Sequence, residues 1–459
     1  MAWLPEAFLA RMERQLGPDF PAFLASYHAP RATGLYVLPQ RMAAEELAAR
    51  LPGIGPPVPW ARHGLYYDEQ VVRPAKHPYY FAGAYYIQEP SAMLPAEWLP
   101  VRHGERVLDL CAAPGGKSVQ LGSRLAGTGL LVVNDPHPER ARALLKNVER
   151  YGLIQAVVLC ETPDRIARAF PEFFDHVLVD APCSGEGMFR KLPEMARSWR
   201  PEWVSAYARQ QAEILAGAAL CLRRGGHLVY STCTFAEEEN ELQVAQFADK
   251  HSDFTVLATR RLWPHQVAGE GHFAALLRRG GARGDADQIT TRPGPESASH
   301  DVRLRREVAS AVAAWSSQVF GAADAWLRAL PPGGRVVERS GHILWEHGEL
   351  PHLQGLRVLR SGWLLGTITA RRFRPSQALA MGLPKAMVAD ASRLDLTAMA
   401  HEGWETSVRY LRGETIPAPA GCSRGWVLVC VDGLALGWAQ AAGTWLKNGY
   451  PPGWRWVDG

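Results

Sequence analysis

Val107-Leu108-Asp109-Leu110-Cys111-Ala112-Ala113-Pro114-Gly115-Gly116-Lys117-Ser118 decides the fold. It reads as a short apolar strand, a loop of small residues and the start of a helix. Small residues let a backbone approach a ligand closely, and the first amides of a helix are free to donate. Such a loop is also a common structural turn, so its neighbours matter. Further strands are predicted at Leu130–Val133, Val157–Leu159, His176–Val179 and His227–Ser231, with helices at Arg140–Tyr151 and Trp203–Leu222. Strands alternating with helices from about Tyr79 to Leu277 predict a parallel α/β sheet. Glu237–Lys250 is predicted as one helix after the last strand, with Glu237, Glu238, Glu239 and Glu241 complementing its dipole.

Polar chemistry gathers where these strands end. Asp135 follows the second strand, where a doubly wound sheet holds a ribose by its hydroxyls. The loop at 111–117 is not G-x-G-x-x-G, which favours an adenosine with an amino-acid tail over a pyrophosphate. Asp180-Ala181-Pro182-Cys183-Ser184-Gly185 follows the fourth strand, and Tyr230-Ser231-Thr232-Cys233-Thr234 ends the fifth. Ligands of a parallel sheet bind at this rim. Either cysteine alone reads more simply as a small buried thiol. Two of them beside Asp135, Asp180 and the glycine loop point to covalent chemistry. Enzymes that methylate the exocyclic amine of a base place Asp/Asn-Pro-Pro-aromatic at this position. Here a thiol stands instead. Carbon 5 of cytosine is a poor nucleophile until a nucleophile adds at carbon 6, and a thiolate suits that task. The residues leave open which thiol attacks, and whether Lys117 orients Asp180 or the base. Cys160, Cys221, Cys422 and Cys430 read as packing residues. No C-x-x-C or Cys/His zinc spacing occurs, so no metal is expected.

The three motifs Asp109–Lys117, Asp180–Gly185 and Ser231–Thr234 resemble those of the RNA cytosine-5 methyltransferase family, a likeness that covers about Tyr79 to Leu277. The resemblance implies a Rossmann-like class I methyltransferase sheet and S-adenosylmethionine as cofactor. By that resemblance Cys111, Ala112, Ala113, Pro114, Gly115, Gly116 and Lys117 line the cofactor site. Asp135 would hold the ribose with Arg140 at its edge, and Asp180 would lie between cofactor and base. Cys160-Glu161-Thr162-Pro163-Asp164 departs from the family's usual Asp-Gly, with Glu161 as the expected contact near the adenine. The resemblance also assigns the roles that the residues left open: Cys233 as nucleophile and Cys183 in product release. The C-terminal third, through Trp426–Gly433 and Leu446–Pro451, resembles the RsmF type of that family, which modifies small-subunit ribosomal RNA and carries a PUA-like, RNA-binding end.

The rest of the chain fits this reading. Residues 1–78 read as an N-terminal RNA-binding extension, with a helix over Met1–Gln15 and a strand at Gly34–Leu38. Residues 79–282 form the methyltransferase domain, 283–388 a linker and RNA-binding subdomain, and 389–459 a PUA-like domain. Arg278–His300 reads as linker and Val302–Trp326 as helix. Trp426–Val431 and Leu434–Ala439 form a hairpin through Asp432-Gly433. The chain has 459 residues, seven cysteines and a formal net charge of +4. From Thr290 onward there are roughly 19 Lys+Arg against 14 Asp+Glu, which suits an acidic partner. Arg371-Arg372-Phe373-Arg374 interleaves cation and aromatic, suiting phosphate contact and base stacking, or forms a plain solvated edge. With no secretory or membrane segment and an odd cysteine count, a cytoplasmic, monomeric RNA enzyme with reduced thiols is the expectation. The alternatives are a catalytically silent ribosome-assembly factor, a cytosine-5 methyltransferase acting on tRNA, a methyltransferase for a small molecule or exocyclic amine, and a nicotinamide-dependent dehydrogenase.

Overall fold

Parallel strands covered on both faces carry near-continuous apolar runs, as at Leu130–Val133 and Val177–Val179 here. The computed structural model describes residues 3–281 and 301–457 except 420 and 423. Its central sheet holds β1 (Arg106–Asp109), β2 (Leu130–Asn134), β3 (Ala156–Leu159), β4 (Phe174–Asp180), β5 (Leu222–Thr232), β6 (Phe254–Leu262), β7 (His272–Arg279) and β8 (Val358–Arg360). The order across the sheet is β6-β7-β5-β4-β1-β2-β3-β8. β1 to β5 are parallel, while β6, β7 and β8 run antiparallel to their neighbours. Alternate residues of one strand enter opposite cores: Leu108 and Val132 meet Ile214 and Leu215, whereas Val107 and Val133 meet Val119 and Leu144. All five strands expected from the sequence are present.

β8 was not foreseen. It comes from a segment about 200 residues beyond β3, and it pairs Val358 with Leu159 and Arg360 with Val158. The helix expected over Glu237–Lys250 is also corrected. Glu237–Glu239 form a single 3-10 turn, and the helix proper is Glu241–Lys250. The break lies at Asn240, whose side chain accepts from Thr232 Oγ1 and donates to the Thr234 carbonyl. Glu239 is thereby turned inward, fully buried, instead of sitting in a solvated first turn. The expected helix Val302–Trp326 starts instead as a strand, Asp301–Arg303, and its helical part is Arg306–Phe320. Gly321 ends it at φ 85°, a left-handed position that suits glycine.

Ahead of the central sheet, the helix Glu6–Leu16 buries Phe8 and Met12. Phe8 packs edge-on to Phe189 and Trp199. A four-stranded antiparallel sheet follows, in the order Ile54–Pro57, Gly64–Tyr67, Thr33–Val37, Tyr85–Ile87. Beyond the central sheet come two five-stranded sheets. The hairpin Arg424–Val431/Leu434–Ala442 turns on Asp432 (φ 45°) and Gly433 (φ 81°), as expected. In Arg371–Arg374 the arginines are exposed, but Phe373 is buried against Trp315, with ring centroids 4.8 Å apart. Phe373 is a core residue and not a stacking platform. The linker reading at Arg278–His300 falls mostly outside the described residues, apart from β7 reaching Arg279. No helix among the described residues is long and apolar enough to cross a membrane.

Candidate active site

The loop after β1 is shaped by its glycines. Gly115 sits at φ 117°, and a Cβ on Gly116 would lie 2.9 Å from the Tyr86 ring. The helix Gly116–Leu125 begins here, its first amides facing the rim end of β1. Ser118 Oγ donates to Asp109 Oδ2 at 2.6 Å, while Asp109 Oδ1 is buried with no hydrogen-bond partner among the described residues. Burial pushes the Asp109 carboxyl up to about 7. At the end of β2, buried Asp135 accepts from the His137 amide and faces Arg140 at 3.2 Å. Arg140 also donates to the Ala113 carbonyl at 3.0 Å, tying the loop to Asp135. Glu161 lies past β3, fully buried. Its carboxylate accepts from the Arg357 amide at 2.6 Å and faces Arg165 at 3.3 Å. The expected third acidic contact is therefore already engaged with the segment that leads into β8. An unpartnered buried acceptor, free helix amides and a buried carboxylate at the next strand end fit an adenosine bearing an amino-acid tail.

The two thiols meet. Cys183 Sγ and Cys233 Sγ are 3.4 Å apart, both half-buried, on the loops that follow the adjacent strands β4 and β5. Those loops are sewn together. The Gly187 amide donates to the Cys233 carbonyl at 2.8 Å, and a Cβ on Gly187 would press that oxygen at the same distance. Ser184 Oγ lies 2.7 Å from Thr234 Oγ1 and also bonds Glu239. Glu239 accepts in addition from the Ser184 amide and from Gln211 Nε2. Burial pushes Glu239 up to about 7. Gln211 also donates to the Pro182 carbonyl at 2.9 Å, so one lone pair of that oxygen is already taken. The Cys233 sulfur, burial and Glu239 together push the Cys183 thiol up, which favours its protonated form beside Cys233.

Asp180 ends β4 with about a third of its side chain open (32%). Lys117 Nζ donates to its Oδ2 at 2.7 Å and Ser231 Oγ to its Oδ1 at 2.8 Å. His272 Nε2 lies 3.5 Å from the same Oδ1. Burial raises the Asp180 carboxyl, but Lys117 and His272 outweigh it and hold it well below the usual carboxylate range. Asp180 is therefore ionised at rest, and Lys117 is placed against Asp180. Burial and Lys117 push His272 down, leaving it a neutral imidazole. The sequence reading missed His272, Glu239 and Gln211. A lone histidine in the apolar run Phe273–Leu277 and its lead-in, and a glutamine within the apolar stretch of a long helix, were the available signals.

Arg140 tests the cofactor side of this arrangement. Arg140→Ala removes a charge-assisted bond to Ala113 and leaves Asp135 buried without its cation. It should weaken cofactor binding by roughly 10–100-fold, about 1.5–3 kcal/mol for a hydrogen bond to a charged group, with little change in melting temperature. Calorimetric titration checks this.

Residues 96–278 match the family described as 16S rRNA methyltransferase RsmB/F. Residues 4–90, 320–383 and 404–456 match the N-terminal, first C-terminal and PUA domains of RsmF. The chain is 30% identical to ribosomal RNA small subunit methyltransferase F of Enterobacter sp. (strain 638), covering 98% of this chain and 95% of that one. It is 29% identical to the enzyme of the same name from Klebsiella pneumoniae (strain 342), over 98% and 96% of the two chains. A solved methyltransferase homolog from Pyrococcus horikoshii is 27% identical with a TM-score of 0.54, over 60% of this chain and 95% of its own. With its glycine loop, its paired thiols and all four matching regions in order, the chain belongs to the RsmB/F family of S-adenosylmethionine-dependent 16S rRNA cytosine-5 methyltransferases, and within it to the RsmF type.

Proposed function

We propose that this chain methylates carbon 5 of cytosine in 16S ribosomal RNA through a covalent bond between Cys233 and the base. The observation that carries this reading is the pair of sulfurs 3.4 Å apart beside the Asp180–Lys117 ion pair. The target cytosine leaves its stack to enter the rim. Cys233, half-buried at the rim, gives its proton to solvent; its Sγ then adds to carbon 6 as a thiolate, and the carbon 5–carbon 6 electron pair moves into the ring. Asp180 stands ready for the negative charge developing at nitrogen 3. Because it is ionised at rest, the proton delivered there comes from the Lys117 ammonium, passed through the carboxyl group. S-adenosylmethionine, when bound, supplies the electrophilic methyl group; Cys111–Lys117, Asp135 and Arg140 are the residues that would hold it. Glu161 serves that site from behind, by fixing the strand end. A base then takes the carbon 5 proton, the double bond reforms and the carbon 6–sulfur bond breaks. The Cys183 S–H donates to the departing Cys233 thiolate and stabilises it. Catalysis is assigned to residues 79–282, and RNA contact to 1–78, 283–388 and 389–459, acting as a monomer.

Bisulfite mapping of 16S rRNA from a strain lacking this protein tests the function directly. Loss of specific 5-methylcytidines, restored by the wild-type gene and not by a Cys233→Ala allele, is expected. An unchanged map contradicts the proposal.

His272 acts in this scheme as a positioning residue for Asp180. His272→Ala should lower kcat by roughly tenfold, the lower end for losing a polar contact to a charged group, with the cofactor KM nearly unchanged. Removing a polar neighbour 3.5 Å away that favours the carboxylate raises the Asp180 pKa. The acid limb of the pH–rate profile should therefore move to higher pH, and His272→Gln should move it part of the way back. A variant with lower kcat but an unmoved acid limb would make His272 a packing residue only.

A further inference from the structure

Several arginines of the catalytic domain lie against carboxylates. Arg106, Arg190, Arg223 and Arg279 each face a carboxylate. One surface in the C-terminal half gathers exposed arginines from two neighbouring elements. Arg305 and Arg306 open the helix Arg306–Phe320, and Arg371, Arg372 and Arg374 lie on the turn and edge strand Arg372–Pro375 that pack beside it. All five are exposed. Arg305 pairs with Glu338. Arg371 reaches Glu307 only at 4.0 Å, with both side chains more than three-quarters exposed (86% and 78%), which also places the turn against the start of the helix. Arg306, Arg372 and Arg374 have no carboxylate partner among the described residues.

Local stability does not account for this placement. Cations at the positive end of a helix dipole are unfavourable, and two stand there. The turn before the edge strand holds Ala370 (φ 47°) and Arg371 (φ 60°) in the left-handed region, which is costly for residues other than glycine. On the edge strand, Phe373 points into the core, and the alternation sends Arg372 and Arg374 to solvent. Charged residues do protect exposed strand edges from pairing. That explains two of the five, but not the arginines at the helix start or the one on the strained turn.

We infer that Arg306, Arg371, Arg372 and Arg374 form a phosphate-binding ridge that grips the backbone of the RNA substrate away from the catalytic rim. The inference rests on the reading of 16S rRNA as substrate and adds the surface that recruits it. Guanidinium groups fork onto phosphate oxygens, and contacts of this kind carry affinity without sequence preference.

The test uses the full chain and transcribed 16S rRNA, with affinity measured across a series of KCl concentrations. Each phosphate contact adds roughly 0.7–0.9 to the slope of log K against log salt. The variant Arg306→Gln/Arg371→Gln/Arg372→Gln/Arg374→Gln should bind on the order of tenfold more weakly at moderate salt, with a slope shallower by roughly 3. Its single-turnover methylation rate at saturating RNA should match wild type. The fourfold lysine variant should keep most of the slope, and Arg372→Gln/Arg374→Gln alone should lose about half as much of it, which keeps the test open if the fourfold glutamine variant folds poorly. An unchanged slope in a folded variant, with or without new aggregation, overturns the ridge and leaves edge protection as its role. If wild-type protein neither binds nor methylates 16S rRNA, it is the substrate assignment that fails.

Discussion

Cys233→Ala should abolish methyl transfer while leaving cofactor binding intact. Removing the group that forms the covalent bond in related covalent catalysts costs roughly four to six orders of magnitude, and nothing nearby replaces it. Cys183 lies 3.4 Å away but holds its proton, opposed by the neighbouring sulfur, by burial and by Glu239. The cofactor contacts assigned to Cys111–Lys117 and Asp135 come from β1 and β2, not from the loop after β5, so the dissociation constant for S-adenosylmethionine should stay within about twofold. Stability should change little, because the thiol is half-buried and the loop is held by Gly187, Ser184 and Asn240. Tritium transfer from labelled cofactor and a binding isotherm on the same preparation check both halves.

Cys183→Ala should produce the opposite phenotype, a protein–RNA adduct that survives denaturing electrophoresis. The addition of Cys233 to carbon 6 does not need Cys183. The reverse step, breaking the carbon 6–sulfur bond, expels a thiolate whose nearest donor is the Cys183 S–H. Without that donor, elimination should slow by roughly 10²–10⁴-fold, the range for losing a positioned proton donor, and the adduct should accumulate in stoichiometric amount. Cys183→Ser, which keeps a donor, should accumulate less. If Cys183→Ala stops the first step and Cys233→Ala gives the stable adduct, the two roles are exchanged.

The sheet and its rim were legible because parallel strands carry a plain signature. Leu130–Val133 and Val177–Val179 are apolar without interruption, and each run ends at a residue that breaks the pattern: Asn134 and Asp135 in one case, Asp180 in the other. Right-handed crossovers then put every such residue on one edge. That put Cys183 and Cys233 on one rim before any distance was known; the pairing of β4 with β5 brings them into contact. What stayed hidden depends on contacts between remote segments. β8 is three residues long and has no period of its own; only the vacant edge of β3 makes it a strand. Glu239 looked like one of several acids at a helix start, and its burial exists because Ser184 and Gln211, from two other segments, converge on it. His272 stood out only as one polar residue beside an apolar strand, with nothing in the sequence to connect it to Asp180. Phe373 was misread for the same reason: alternation says that one side of its strand is buried, but not which.

The central claim, a bond between Cys233 and the target base, is tested most directly with RNA carrying 5-fluorocytidine at the target position. Fluorine at carbon 5 cannot leave as the proton does, so the enzyme should stall as a covalent complex. Digestion and tandem mass spectrometry should place the modified nucleotide on Cys233 in the peptide spanning Ser231–Thr234. A nucleotide found on Cys183, or wild-type enzyme that turns over without any adduct, would contradict it.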